Sequence, residues 1–310
     1  MSFLRLFIIF TLSLACIFVA IITAVDPYER LGINVFNFKT KAVAQSRENK
    51  FRMLESSKTQ YEAFILGSSA AHRYPTEKVK SLTGLNTYNY AVQHSTPLDF
   101  YAITKHIFSK FNPKIILIQI DFAALNENYK IDNRLYNSPL MDYLTYEKPK
   151  ELKLFDNNYF TLNALLDSLH VIHVNLFGKA RHIYAKHGNY IFEKITPHKI
   201  KIKQDSDPNY LFSHKRLQYL MKIRDLCIKN DIKLILFSAP IAFNHLQRIY
   251  NNPRLKTIHK QVMQSLESNF ENFTNFQTEE IKKYNHYRYF WDSVHPTKEM
   301  SEIILERLLK

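Results

Sequence analysis

Beyond residue 60 the chain alternates short apolar runs with stretches whose apolar positions recur every three or four residues. The pattern predicts strands at 62–66, 86–91 and 114–121, with helices at 76–83 and 97–111 between them. Later it predicts a helix at 214–230, a strand at 232–240, a helix at 254–268, an irregular strand at 270–277 and a closing helix at 297–309. The run "KIILIQID" is almost continuously apolar, as befits a parallel strand covered on both faces. Repeated strand–helix units imply an α/β fold built on a doubly wound parallel sheet, whose ligand site lies at the carboxyl ends of the strands.

Two regions break the alternation. Between Asp121 and Ser213 lies an insertion, about 123–212, rich in Tyr, Asn and His. A structureless loop of that length is improbable inside a compact domain, so it should carry elements of its own and be mostly helical. "NNYFTLNALLDSLHVIHVNLFG" predicts a helix beginning near Asp156 or Asn157, ending by Gly178 and packing its apolar side on the body. An insertion of this size is also the only segment large enough to cover the sheet edge.

The other break is at the start. From Leu6 to Val25 no charge occurs, and such a run of about 20 residues crosses a hydrocarbon core of roughly 30 Å as a helix. A cleaved signal peptide has an apolar region of only about 7–15 residues before a small-residue site. This run is longer and Ala24 is a poor site, so an uncleaved transmembrane anchor is expected. "SLAC" has the look of a lipoprotein site, but apolar residues continue past Cys16 and the usual leucine three positions earlier is absent. Arg5 is the sole positive side chain ahead of the span, while Asp26 and Glu29 stand with Arg30 beyond it. That asymmetry puts the bulk of the chain outside the cytoplasmic (inner) membrane, as a single-pass protein facing the periplasm or exterior. The plan is then an anchor at 1–25, a juxtamembrane segment at 26–60 and a domain at 61–310.

The 310 residues carry a net charge of +14, which in a soluble protein would raise nucleic-acid binding. The anchor argues against nucleic acid. The lysines are also spread through helical patterns, so they form a solvated cationic surface whose field attracts anionic lipid heads or acidic polysaccharide. Two cysteines, Cys16 and Cys227, lie in apolar or helical runs and indicate neither a disulfide framework nor a zinc site. His170 and His173 stand one helical step apart without a third ligand spacing, so no metal is expected, and nothing in the sequence asks for a cofactor.

The candidate chemistry sits in "FILGSSAAHR" and "FWDSVHPT". With only five glycines in the chain, Gly67, placed between a strand and two serines, needs a reason, and a sharp turn exposing Ser69 supplies one. The match to the nucleophile elbow G-x-S-x-G is incomplete, because Ala71 replaces the second glycine. Asp292 and His295, three residues apart before the last helix, have the spacing for a carboxylate to orient an imidazole. "DSVHPT" also reads as a plain helix start, with Thr297 or Ser293 capping and Pro296 in the first turn. The two readings are compatible. Together the segments offer Ser69 as nucleophile, His295 as base and Asp292 as its orienter.

These residues resemble the SGNH (GDSL-like) hydrolases, in particular membrane-anchored bacterial members that assist O-acetylation of envelope polysaccharides and D-alanylation of teichoic acids. The resemblance runs through "FILGSSAAHR", "YNYAVQHSTPLDFY", "NPKIILIQIDFAALN" and "FWDSVHPT". It implies a flavodoxin-like three-layer fold and catalytic roles for Ser69, Asp292 and His295. It further implies acyl, in the first place acetyl, transfer or ester hydrolysis on an envelope polysaccharide or its carrier, with a membrane-bound acyltransferase among the partners. Two blocks depart from the family. His94 stands where a glycine amide helps hold the oxyanion, and Ala123 stands where an asparagine donor is expected. One missing donor costs roughly 2.7–4 kcal/mol unless replaced. Asn89, Gln93 and Asn126 are the candidate replacements, and Asp121 is expected either to serve the site or to pair with Arg73. The rival readings are a noncatalytic assembly partner and a plain esterase or lipase.

Overall fold

The computed structural model describes residues 3–27, 31, 33, 35–38, 41–42, 46–136, 138–145, 159–178, 183–184, 186–191, 199–201 and 209–310. The first half of the chain runs α1 (Phe3–Val25), β1 (Lys41–Ala42), α2 (Ser46–Glu55), β2 (Ala63–Leu66), α3 (Thr76–Thr83), β3 (Thr87–Asn89), α4 (Pro97–Lys110), β4 (Ile115–Ile120) and α5 (Asp142–Thr145). It continues with α6 (Leu162–Phe177), β5 (Ile183–Tyr184), β6 (Tyr190–Ile191), α7 (His214–Lys229), β7 (Lys233–Ser238), α8 (Phe243–Tyr250), α9 (Pro253–Asn269), β8 (Phe273–Thr274) and α10 (Lys298–Leu309).

The chain divides into two compact units. One comprises residues 58–149, 187–189 and 194–310. Its sheet has the order β3-β2-β4-β7-β8, and every pairing is parallel. The three middle strands are nearly all aliphatic or aromatic because helices cover both faces, and Phe64, Ile65, Leu117, Ile118, Leu236 and Phe237 are buried. The chain steps from β2 outward to β3, then returns to the other side of β2 to lay down β4. That reversal makes the carboxyl ends of β2 and β4 the topological switch point, where open α/β sheets bind ligands.

Most predicted elements of this unit fall within a residue or two of their expected bounds. The expected strand at 86–91 is regular only over Thr87–Asn89, but Tyr90 and Val92 still donate to the carbonyls of Ile65 and Gly67 (2.8 and 2.9 Å). The last strand shrinks to the edge pair Phe273–Thr274, and α8, which the pattern did not predict, fills the gap between β7 and α9.

The other unit comprises residues 1–57, 150–186 and 190–193. It holds α1, α2, α6 and a small antiparallel sheet of order β1-β5-β6. The insertion helix begins at Leu162, about a turn later than expected, where the Thr161 hydroxyl caps the Ala164 amide, and it ends at Gly178 in a left-handed cap. Within this unit it packs on α1. Ile22 and Val25 of α1 form a core with Tyr159, Ala164 and Val171, flanked by Phe18, Ile21, Leu165 and Ile172. Asp26, buried at the end of α1, accepts from Tyr159 Oη (2.7 Å) and from the amides of Leu31 and Ile33 (3.0 and 3.3 Å). The end of α1 is therefore an integral wall of this unit, and α1 itself is long and apolar enough to cross a membrane.

Gly67 is required by close approach. A Cβ there would come within 2.5 Å of the Ala71 Cβ and 3.1 Å of the Gln119 Cβ. Gly67→Ala is expected to lower stability by about 1–3 kcal/mol, the usual cost of overpacking, read as a fall in the urea midpoint at unchanged slope. An unchanged midpoint would mean that the turn yields freely.

Candidate active site

Ser69 owes its position to three neighbours in sequence. β2 ends at Leu66, Gly67 turns the chain, and the Ser68 Oγ accepts from the Ala70 amide (3.2 Å) to cap a 3₁₀ turn over Ser69–Arg73. Ser69, first in that turn, faces the switch point with its Oγ 2.8 Å from His295 Nε2. On the far side of the imidazole, Nδ1 lies 2.9 Å from both Asp292 oxygens. A carboxylate only accepts, so Nδ1 carries the proton and Nε2 is left as acceptor for the Ser69 hydroxyl. Asp292 is itself held by the amides of Val294 and His295, each 2.9 Å from Oδ1.

The loop bearing Asp292 and His295 is closed at both ends. A bridge joins Phe290 to Pro296, the Trp291 amide donates to the His295 carbonyl (2.9 Å), and the Thr297 hydroxyl bonds the Arg288 carbonyl (2.6 Å). Thr297 also caps α10 by accepting from the Met300 amide (3.3 Å). The helix start and the aspartate–histidine pair thus coexist in one segment.

Ser69 and His295 open on a cavity of about 350 Å³. One part of its wall is polar: His94, Asn126, Asn128, Tyr129 and Lys130. Another is largely apolar: Phe122, Tyr210, Ala239, Ile241, Ile249 and Leu255. The Phe122 and Tyr210 rings stack at 4.2 Å, and the Tyr210 hydroxyl donates to the Phe122 carbonyl (2.7 Å). The apolar wall draws on α8 and the first turn of α9. The sequence pattern did not disclose this wall. Its available signal was the spacing of Phe243, Leu246 and Ile249, a single amphipathic turn and a half between two stronger elements.

The candidate oxyanion residues separate. His94 lines the cavity with backbone φ of 51°, in the left-handed region that glycine ordinarily serves, and its Nδ1 lies 2.9 Å from the Tyr129 hydroxyl. Among the described residues, the amides of Ser69 and His94 donate to no protein acceptor. Asn126 lines the cavity, but its Oδ1 accepts from the amides of Asn128 and Leu211 (3.1 and 2.9 Å), which clamps the loop. Asn89 is buried elsewhere, donating to the carbonyls of Ala71 and Tyr74 (2.9 and 3.0 Å). Gln93 accepts from Arg134 (3.2 Å) and is not part of the cavity wall.

The expected pairing of Asp121 with Arg73 is absent. Arg73 lies over the Trp291 ring, 5.6 Å from its centroid, whereas Asp121 sits in the cavity wall and accepts from Gln119 Nε2 (2.8 Å). The reason is local. Gln119 points to the same face two residues earlier on β4, so its amide reaches the carboxylate without a long side chain.

No family model matches the chain, and no curated protein matches it in sequence. Among solved structures, an acetyl xylan esterase is similar at 13% identity and a TM-score of 0.38, over 79% of this chain and 97% of that one. A GDSL-like lipase from Bacteroides thetaiotaomicron is similar at 10% identity and 0.40, over 85% and 96% of the two chains. A putative acylhydrolase from Bacteroides fragilis gives 11% and 0.38, over 85% and 95%. These superpositions are loose, so function has to be read from the site's own geometry.

Burial raises the Asp121 pKa, against the opposing effects of the Ser68 hydroxyl, His295, Gln119 and His94. The folded state therefore holds that proton to higher pH than the unfolded chain. Its stabilising contribution is fully present below the unfolded value of about 3.9 and is lost as pH climbs through the raised folded value. Asp121→Asn should accordingly raise the urea midpoint at pH 8, with the gain shrinking toward pH 4. A variant less stable than the parent at pH 8 would show that the ionised carboxylate is favoured in the fold.

Proposed function

We propose that this chain is a membrane-anchored serine esterase or O-acyltransferase of the SGNH kind. Its substrate would be an ester of a cell-envelope polysaccharide or of an acyl carrier, met on the outer side of the cytoplasmic membrane. One observation carries the reading: Ser69, His295 and Asp292 form a continuous hydrogen-bonded chain beside a cavity at the switch point of a parallel sheet. The Ser69 oxygen attacks the ester carbonyl while its proton passes to His295 Nε2, and Asp292 stabilises the imidazolium. The unengaged amides of Ser69 and His94 are the donors this reading assigns to the oxyanion. Collapse of the tetrahedral intermediate expels the alcohol, which takes the proton from His295, and leaves an acyl-serine. Water or a sugar hydroxyl then gives its proton to His295 and takes the acyl group, and the departing Ser69 oxygen takes that proton back from His295.

A second reading has an observation of its own. Ala123, in the cavity wall, occupies the place of an expected side-chain donor, which favours a noncatalytic assembly partner. A fluorophosphonate probe decides between them. Labelling of the full chain that is lost in Ser69→Ala supports the enzyme, and no labelling of the folded parent supports the partner.

Ser69→Ala and His295→Ala should each lower kcat by roughly 10⁴–10⁶-fold, and Asp292→Asn by less, since an orienter assists the base without reacting. Ser68→Ala should cost about 1 kcal/mol of stability through its lost cap while keeping most activity. A dead but folded Ser68→Ala would move the nucleophile by one residue. Transfer and hydrolysis separate in one assay. With an activated acetyl ester, a transferase should acetylate a suitable glycan faster than it releases acetate, because a positioned hydroxyl reaches effective molarities of about 10⁵ M or more. Acetate release unaffected by any acceptor would assign a plain esterase.

A further inference from the structure

The unit containing α1 leaves one feature that the chemistry does not use. On α6 the side chains Leu162, Leu166, Leu169, Leu176 and Phe177 are each 47–67% exposed. At 100° per residue they fall on one stripe, opposite Ala164, Val171 and Val174, which are buried. Five large apolar side chains on one face of a 16-residue helix form a patch of the sort that marks an interaction surface.

The neighbouring helix bears on what could cover the patch. α6 packs against Phe18, Ile21, Ile22 and Val25, the last two turns of α1. Those turns occupy about 12 Å of helix at the outer end of the span. The exposed leucines of α6 are therefore held beside the outer part of a helix whose own exposed surface, Leu12, Leu14, Ile17 and Val19, is built for hydrocarbon. A helix buried about 5–10 Å into the headgroup and acyl boundary would be in register with this contact.

α6 is not a second span. Its 16 residues reach about 24 Å, short of the roughly 30 Å required, and it carries Asn163, Asp167, His170, His173 and Asn175. Its termini suit a boundary position, since the Thr161 hydroxyl caps the first turn and Gly178 closes the last. Ser168, fully buried on the inward face, satisfies its hydroxyl on the Ala164 carbonyl (2.7 Å), so two small residues let the helices approach without an orphaned donor.

We infer that α6 is a membrane-surface helix that lays its leucine stripe into the outer leaflet alongside α1, giving the protein a second hold on the lipid. The inference rests on α1 crossing the bilayer, which the same experiment tests separately. In a full chain freed of its native cysteines by Cys16→Ser and Cys227→Ala, single cysteines replace Leu166, Leu176, Leu12 or the exposed Ser81. Each is labelled with an environment-sensitive fluorophore and reconstituted into phosphatidylcholine–phosphatidylglycerol vesicles containing doxyl-labelled lipid. Labels at Leu166 and Leu176 should be quenched at least twofold, more strongly by doxyl near the headgroup than by doxyl deep in the chain. The Leu12 label should be quenched best by the deep probe, and the Ser81 label by neither. Quenching at Leu12 with none at Leu166 or Leu176 overturns the inference. If those two labels are instead shielded from water yet unquenched, a protein surface covers the stripe and the lipid assignment is wrong. No quenching at Leu12 removes the bilayer span itself.

Discussion

The contact between Gly67 and Ala71 governs where Ser69 stands. With hydrogen at Gly67, the turn after β2 folds back so tightly that a methyl group there would lie 2.5 Å from the Ala71 Cβ. That folding brings Ser69 to the carboxyl edge and buries Ala71 beneath it. Other parts then lock onto the turn: Val92 donates to the Gly67 carbonyl, Asn89 spans the carbonyls of Ala71 and Tyr74, and the Ser68 hydroxyl caps the turn at the Ala70 amide. The hydroxyl that meets His295 from 226 residues away is aimed by backbone packing. Its own side chain has little to do with the aim.

Much of this was legible in the sequence because the signals are local. Gly67 was conspicuous through the scarcity of glycine, and the three-residue spacing of Asp292 and His295 already implies a carboxylate and an imidazole on one turn of chain. The parallel sheet announced itself in runs such as Ile115–Ile120, where burial on both faces leaves no alternation to misread. What could not be read were choices among several polar side chains competing for one place. Asn89, Gln93 and Asn126 have equal capacity to donate. Only the fold reveals that Asn89 is spent on the turn's carbonyls, Gln93 meets Arg134 and Asn126 clamps the loop to Leu211. Asp121 was likewise ambiguous, since a carboxylate accepts equally from a distant guanidinium or from a neighbouring amide.

The insertion shows the same limit at larger scale. Helical periodicity in "LNALLDSLHVIHVNLF" was plain, but apolar residues occur on more than one face, and periodicity alone does not say which face meets protein. Ala164, Ser168, Val171 and Leu165 turn inward to α1, while Leu162, Leu166, Leu169 and Leu176 turn out, so the helix is apolar on two faces. Two-residue strands such as β1 and β5 carry no periodic signal at all. The buried Asp26 belongs to this class too. As a sequence feature it looked like a flanking charge, whereas in the fold it is a structural acceptor for Tyr159, Leu31 and Ile33 that ties the end of α1 to the residues just beyond it and to the start of the insertion helix.

His94 brings the two kinds of information together. A left-handed backbone costs a non-glycine residue roughly 1–2 kcal/mol, and such strain persists only where surrounding structure enforces it. Here the enforcement is visible, because the imidazole Nδ1 meets the Tyr129 hydroxyl at 2.9 Å, tying the loop after β3 to the loop after β4 across the cavity. Glycine at this position would adopt the same φ without strain but would leave the two loops unlinked. In a site where Ala123 contributes no side-chain donor, the proposed oxyanion hole depends on two backbone amides, and donors stabilise developing charge only if they are already fixed when it appears. Histidine in place of glycine then exchanges a small conformational cost for a fixed amide, which accounts for an otherwise unfavourable residue at one of the two positions where the proposed oxyanion hole draws on the backbone.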